Sequence, residues 1–201
     1  MNVAYFKPRI GKKFNSTKLL ILGYSAYSWQ DSHGKVHTPQ PSHPEKSLFW
    51  SFQPGKKPRY FTQMNRALCG CEAPSIEEAR KAWDECAYTI YIQRTVGLGT
   101  GGRPTSEQRK NTGPSFLALI EKIRPLKVIV TGKTMWNKMP PTSDYRGNLE
   151  AYRLADGTLV WCLAVPHPSN RTEGFKWEAV SKDIRHFRAV RLPRRVRTLP
   201  A

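Results

Sequence analysis

The tripeptide His167-Pro168-Ser169 follows directly on the apolar run Leu159-Val160-Trp161-Cys162-Leu163-Ala164-Val165. It places an imidazole and a hydroxyl, two groups that can bond a ligand, where a buried strand ends. An earlier segment has the same construction. Leu19-Leu20-Ile21-Leu22 runs into Gly23-Tyr24-Ser25-Ala26-Tyr27, a small-residue loop where a buried strand stops. Two strand ends so equipped point to a crevice at the carboxyl edge of a parallel sheet, the usual ligand position in open α/β folds.

Four short, continuously apolar runs supply the strands that must carry these loops: residues 18–23, 87–92, 126–131 and 159–165. Such runs suit a parallel sheet covered on both faces. Helical patterns lie between them. Ser75 caps a helix that reaches Trp83, with Glu78 at the capping-box spacing. Further helices are read over Ser106–Ile123, Thr134–Met139 and Phe175–Val190, with a short one at Glu45–Phe52 inside an otherwise irregular, proline-rich 31–62. The glycine-rich run 97–105 reads as a mobile loop and lacks the phosphate-binding spacing that ends in Gly-Lys-Ser/Thr. Strands alternating with helices mean an α/β fold. The expectation is a three-layer α/β/α domain spanning 1–201, with a central four-stranded parallel sheet and basic extensions at 1–17 and 191–201.

The formal net charge is +18, from 33 Lys and Arg against 15 acids, with an isoelectric point near 10.1. Residues 1–30 carry Lys7, Arg9, Lys12, Lys13 and Lys18 with no acid, and 184–201 carry six arginines with none. This favours a polyanion as partner, nucleic acid ahead of an anionic membrane or a merely solvated surface. No run approaches a transmembrane helix, and charge and proline interrupt the N-terminus too early for a signal peptide, so a cytoplasmic monomer is expected. Of the four cysteines, Cys86 and Cys162 read as buried thiols. Cys69-Gly70-Cys71 has poor ligand spacing and no second pair, so neither metal nor cofactor is expected.

The chain from Lys18 to about Phe187 resembles the uracil-DNA glycosylase superfamily. The likeness rests on Gly23-Tyr24-Ser25-Ala26-Tyr27, on Tyr91-Ile92-Gln93-Arg94-Thr95-Val96-Gly97 and on Arg103-Pro104-Thr105. It continues through the segment Arg124 to Trp136 and ends at His167-Pro168-Ser169. It is most similar to a bacterial branch whose first loop reads Gly-Glu-Ser-His-Tyr. The resemblance implies a base flipped from the duplex into a pocket, a carboxylate near the sugar, a donor near the base oxygen and a grip on flanking phosphates.

Within that resemblance, His167 takes the place of the donor that faces the base. Ser169, Asn170 and Arg171 match the loop that enters the minor groove, and Lys133 and Thr134 open a helix as a phosphate seat. The departures are equally specific. Ser25 stands where the uracil enzymes carry a water-positioning acid. Tyr24 and Ala26 replace the Glu and His of the related branch, and Ile90 replaces the Asn that reads the pyrimidine edge. Asp31 is the candidate replacement acid. Tyr24, Tyr27 and Trp29 are candidates to stack on a flipped base, and Ala26, Ile90 and Gln93 to line its pocket. These substitutions imply a glycosylase for a modified, non-uracil pyrimidine, such as one in the DNA of an invading phage. Two alternatives stay open: an inert DNA-binding module on a glycosylase scaffold, and a uracil enzyme of base-excision repair with relocated catalytic residues.

Overall fold

Alternate residues of the first apolar run are buried on opposite sides. Leu19 and Ile21 join one core cluster, Leu20 and Leu22 the other. The same two-residue alternation sends Tyr88, Ile129 and Trp161 to the first cluster and Ala87, Val128 and Cys162 to the second. A sheet apolar on both faces needs a layer on each.

A computed structural model describes residues 5–99, 104–170 and 172–195. Arg103, Arg171 and Arg197 lie outside the described residues. The chain begins with β1 (Arg9–Ile10), α1 (Phe14–Thr17), β2 (Leu19–Gly23), β3 (Ala26–Gln30), β4 (Val36–His37) and α2 (His43–Ser51). It continues through α3 (Arg59–Cys69), α4 (Ile76–Asp84), β5 (Cys86–Ile90), β6 (Thr95–Leu98) and α5 (Ser106–Ile123). Last come β7 (Lys127–Thr131), α6 (Lys133–Trp136), β8 (Asp144–Arg146), β9 (Leu149–Arg153), β10 (Leu159–Val165) and α7 (Trp177–Ala189). Side chains of α2, α3, α4 and α7 fill the first cluster; those of α1, α5 and α6 fill the second.

The main sheet has seven strands in the order β1-β5-β2-β7-β10-β9-β8, where the sequence suggests four. The four expected strands are its centre, and β5, β2, β7 and β10 run parallel in that order. Their outer backbone groups are satisfied by antiparallel neighbours: β1 on β5, and β9 then β8 on β10. Strands of two, three and five residues with mixed polarity leave little trace in a sequence pattern. Residues 23–31 are likewise more than a loop. Within them, β3 pairs with β4 and β6 in a second, three-stranded sheet. The 31–62 stretch read as irregular contains β4 and the start of α3, and part of the 97–105 loop belongs to β6.

The described parts of both basic terminal segments pack against the main sheet. Phe6 is fully buried, and β1 and α1 belong to the fold. Gly11 passes so close to the start of β5 that a Cβ there would meet Asp84 O at 2.4 Å; only glycine fits. At the other end, Leu159 N donates to Arg194 O (2.9 Å) and Trp161 Nε1 to Pro193 O (2.8 Å), strapping residues 193–195 to the amino edge of the sheet. Lys127 Nζ, on the central strand β7, donates to Phe187 O (2.7 Å), Arg188 O (2.7 Å) and Val190 O (3.0 Å) at the end of α7. A cation there complements the helix dipole.

Gln93 lies just beyond β5, and both ends of its amide are engaged. Oε1 accepts from Phe6 N (2.8 Å), and Nε2 donates to Ile90 O. Gln93→Leu leaves the Phe6 N–H orphaned in the core and is expected to lower unfolding stability by roughly 1–3 kcal/mol, measured by denaturant titration.

Candidate functional site

Strand order and chain order decide where a ligand can sit. The chain leaves β2 for β5 on one side and later returns to β7 on the other, so the topological switch lies between the carboxyl ends of β2 and β7. Crossover connections diverge there and leave a crevice. The loops after β2, β5, β7 and β10 all leave this same edge. His167 and Tyr27 therefore emerge at one end of the sheet, as the loop placement requires.

Glycine terminates β2 where space is tight. A Cβ on Gly23 would lie 3.2 Å from the Tyr88 hydroxyl and 3.4 Å from the Tyr60 hydroxyl, so the missing side chain makes room for two phenols. Thr131, the last residue of β7, donates its hydroxyl proton to Leu22 O (2.8 Å). Its Oγ1 is then the acceptor for Tyr60 Oη at 3.1 Å. Burial pushes the Tyr60 phenol well above its ordinary range and keeps it protonated. The Tyr60 ring lies 5.8 Å from the His167 ring. Gly132, at φ +139, lets the chain turn beneath this imidazole; a Cβ there would stand 3.6 Å from His167 Cδ2.

The imidazole has a defined tautomer. Ser169 N donates to His167 Nδ1 at 3.1 Å, so Nδ1 is an acceptor and the ring proton sits on Nε2. Burial lowers the His167 pKa below its ordinary 6.5, against an opposing pull from Glu173. The ring is thus a neutral N–H donor at neutral pH.

Glu173 holds the site together, and the sequence pattern does not single it out. Oε2 accepts from His167 N (2.8 Å) and Lys133 N (2.9 Å), and Oε1 from Thr134 N (3.3 Å). One carboxylate therefore ties the loop after β7 to the loop after β10. Burial raises its pKa, but the donors from Thr134, His167 and Lys133 outweigh that and hold it below the ordinary value. The backbone donors expected to seat a phosphate at Lys133 and Thr134 are already filled by this internal anion. Only their exposed side chains remain for an outside partner. The available signal was slight: Glu173 is the sole acid between Asp156 and Glu178.

The first-loop residues form a second group. Ser25 Oγ donates to Tyr27 Oη at 3.0 Å, and Tyr24 and Tyr27 both pack against the second core cluster. Ala26 and Ile90 are both 2% exposed and belong to the first cluster, so they support the crevice from below. Trp29 stands further out, 49% exposed, stacked on His37 at 5.3 Å. Asp31 is committed to the β3–β4 hairpin. Oδ1 accepts from His33 N and Lys35 N (both 3.0 Å), and Oδ2 pairs with His37 Nε2 at 2.8 Å. Asn170 closes its own turn by accepting from Thr172 N (3.0 Å) and Thr172 Oγ1 (2.7 Å). Ser169 is exposed beside it. Around this edge Arg59, Arg94 and Lys133 are exposed, and none enters an ion pair among the described residues. No group of three His, Cys, Asp or Glu with metal-binding geometry occurs among the described residues, and no helix there is long and apolar enough to cross a membrane.

Compared with known proteins, the sequence matches no family model and no curated protein. The site's geometry and chemistry therefore carry the functional argument.

Glu173→Ala strips the acceptor from the His167, Lys133 and Thr134 N–H groups and should cost on the order of 1–3 kcal/mol at neutral pH. Because the folded carboxyl titrates below the unfolded one, its contribution is complete above the ordinary glutamate pKa and fades as pH falls through the depressed value. The stability gap between parent and variant, followed by chemical denaturation, should close in acid.

Proposed function

We propose that this chain is a DNA glycosylase that hydrolyses the N-glycosidic bond of a flipped-out, modified, non-uracil pyrimidine and leaves an abasic site. The observation that carries the reading is the neutral imidazole of His167 in the loop after β10, with its proton on Nε2 and Nδ1 fixed by Ser169. When the glycosidic bond breaks, its electron pair leaves with the base, and negative charge grows on the base oxygens. A fixed neutral donor stabilises that charge in the transition state more than in the bound substrate. The protonated Tyr60 phenol and the Glu173 clamp favour the same arrangement, since they hold the surrounding loops before DNA arrives. Ile90, buried at the end of β5, has no side-chain amide to read a pyrimidine edge, which favours a base other than uracil. The unpaired cations at this edge suit the flanking phosphates.

One observation favours a second reading, an inert DNA-binding module. Asp31 spends both carboxylate oxygens in its hairpin, and Ser25 is bonded to Tyr27, so neither stands as a free acid over the sugar.

The deciding experiment offers the protein a panel of oligonucleotides with different modified pyrimidines and scores alkali-labile abasic sites. On the base that responds, His167→Ala should lower the single-turnover rate by about 10²–10³, as for loss of one oxyanion donor, while DNA affinity changes little. The parent rate should hold at neutral pH and fall once pH drops below the depressed His167 pKa, where a proton on Nδ1 breaks the bond from Ser169 N that orients the ring. Asp31→Asn should leave the rate near that of the parent, since its oxygens serve the hairpin; a loss as large as that of His167→Ala would instead place this acid at the sugar. If no member of the panel acquires abasic sites, the inert module is the better reading.

A further inference from the structure

The sheet's opposite end has its own concave surface. A groove of about 720 Å³ opens between edge strand β8 and the strapped C-terminal segment, and a cavity of about 580 Å³ adjoins it beneath residues 188–194. Both are walled by Leu159 and Trp161, at the start of β10. His167 lies beyond the other end of that seven-residue strand, so roughly 20 Å separates the groove from the crevice.

The groove is strongly cationic. Arg146, Arg191, Arg194 and Arg195 line it, all exposed, against one acid, Asp144, which Arg153 neutralises at 3.1 Å. Among the four, the described ion pairs include only the long Arg195–Asp156 contact at 3.9 Å. The arginines are not on a loose tail. Leu159 N and Trp161 Nε1 hold the backbone of residues 193–194, and Arg146 reaches across to Arg191 O at 3.3 Å. Beside them Tyr145, 68% exposed, is the most exposed large hydrophobic side chain among the described residues. Folding gains nothing from concentrating like charges around an open phenol; a ligand that alternates anionic and planar aromatic groups does.

We propose that this groove is a second nucleic-acid site, which takes a single-stranded segment with its phosphates on Arg146, Arg191 and Arg194 and an unpaired base stacked on Tyr145. The concave shape favours a strand over a lipid surface, which is flat on this scale. A duplex held at the carboxyl edge cannot reach these arginines without wrapping the molecule, so the groove holds a separate segment. The proposal requires that the chain bind nucleic acid, not that it excise a base.

The test uses the full chain and a short fluorescent single-stranded oligonucleotide carrying photo-crosslinkable thiothymidine. Crosslinks should map to the peptide that contains Tyr145. Tyr145→Ala should weaken binding about tenfold, and Tyr145→Phe should restore it, because the ring and not the hydroxyl does the stacking. Replacing Arg146, Arg191 and Arg194 together by Ala should reduce the slope of log affinity against log salt by about 2, and lysines there should recover it. Crosslinks confined to the loops at the carboxyl edge, or unchanged affinity and slope in these variants, would overturn the proposal. So would variants that lose binding to vesicles of anionic phospholipid while keeping the oligonucleotide. Abasic-site formation by the same variants is read separately: its absence in the parent counts against the glycosylase and leaves the crosslink map to judge the groove.

Discussion

The site depends on β2 being locked in parallel register between β5 and β7, with all five of its residues buried. Polarity alone does not set that register, because Leu19 to Leu22 are apolar on both faces. Gly23 sets it. A slip of one residue would drive a leucine into the space shared by the Tyr60 and Tyr88 hydroxyls. Once β2 is fixed, the ends of its neighbours are fixed, and the four loops that carry polar groups converge on one edge. Glu173 then joins two of those loops through a single carboxylate, so the geometry around His167 is set by backbone contacts and does not rely on a partner to assemble it.

Charge is distributed with equal consistency. Arg9–Asp84, Arg188–Glu85 and Arg124–Asp156 pair near the amino ends of the parallel strands. The exposed Arg124–Asp156 pair contributes little by itself. The larger effect of these pairs is to relieve repulsion in a chain of net charge +18. Few acids remain to offset the cations at the carboxyl edge.

What the sequence discloses follows from how locally each feature is determined. The four central strands were legible because burial on both faces leaves an uninterrupted apolar run. The helix at Ser75 was legible because its capping box is written within four residues. Helix α3 escaped notice: it follows Pro58, has no side-chain cap and sits in a proline-rich neighbourhood, although Phe61, Met64 and Ala67 keep helical spacing. At the site, His167 announced itself at a strand end. Tyr60 could not, because its partner Thr131 is 71 positions away. Glu173 could not either, since it bonds to backbone N–H groups that every residue possesses. Asp31 misled for the opposite reason: a lone acid after an aromatic loop invites a chemical role, while the partners that occupy it, His33, Lys35 and His37, look unremarkable in sequence.

Lys127 gives the molecule a mechanical property. Its ammonium uses all three protons on carbonyls at the end of α7, and it grows from the strand at the middle of the main sheet. Tension applied at the C-terminus would first peel the strap from β10, then meet this anchor, where the load passes into the central strand and spreads through its neighbours. The end of α7 is thereby tied to the middle of the sheet and not to its edge.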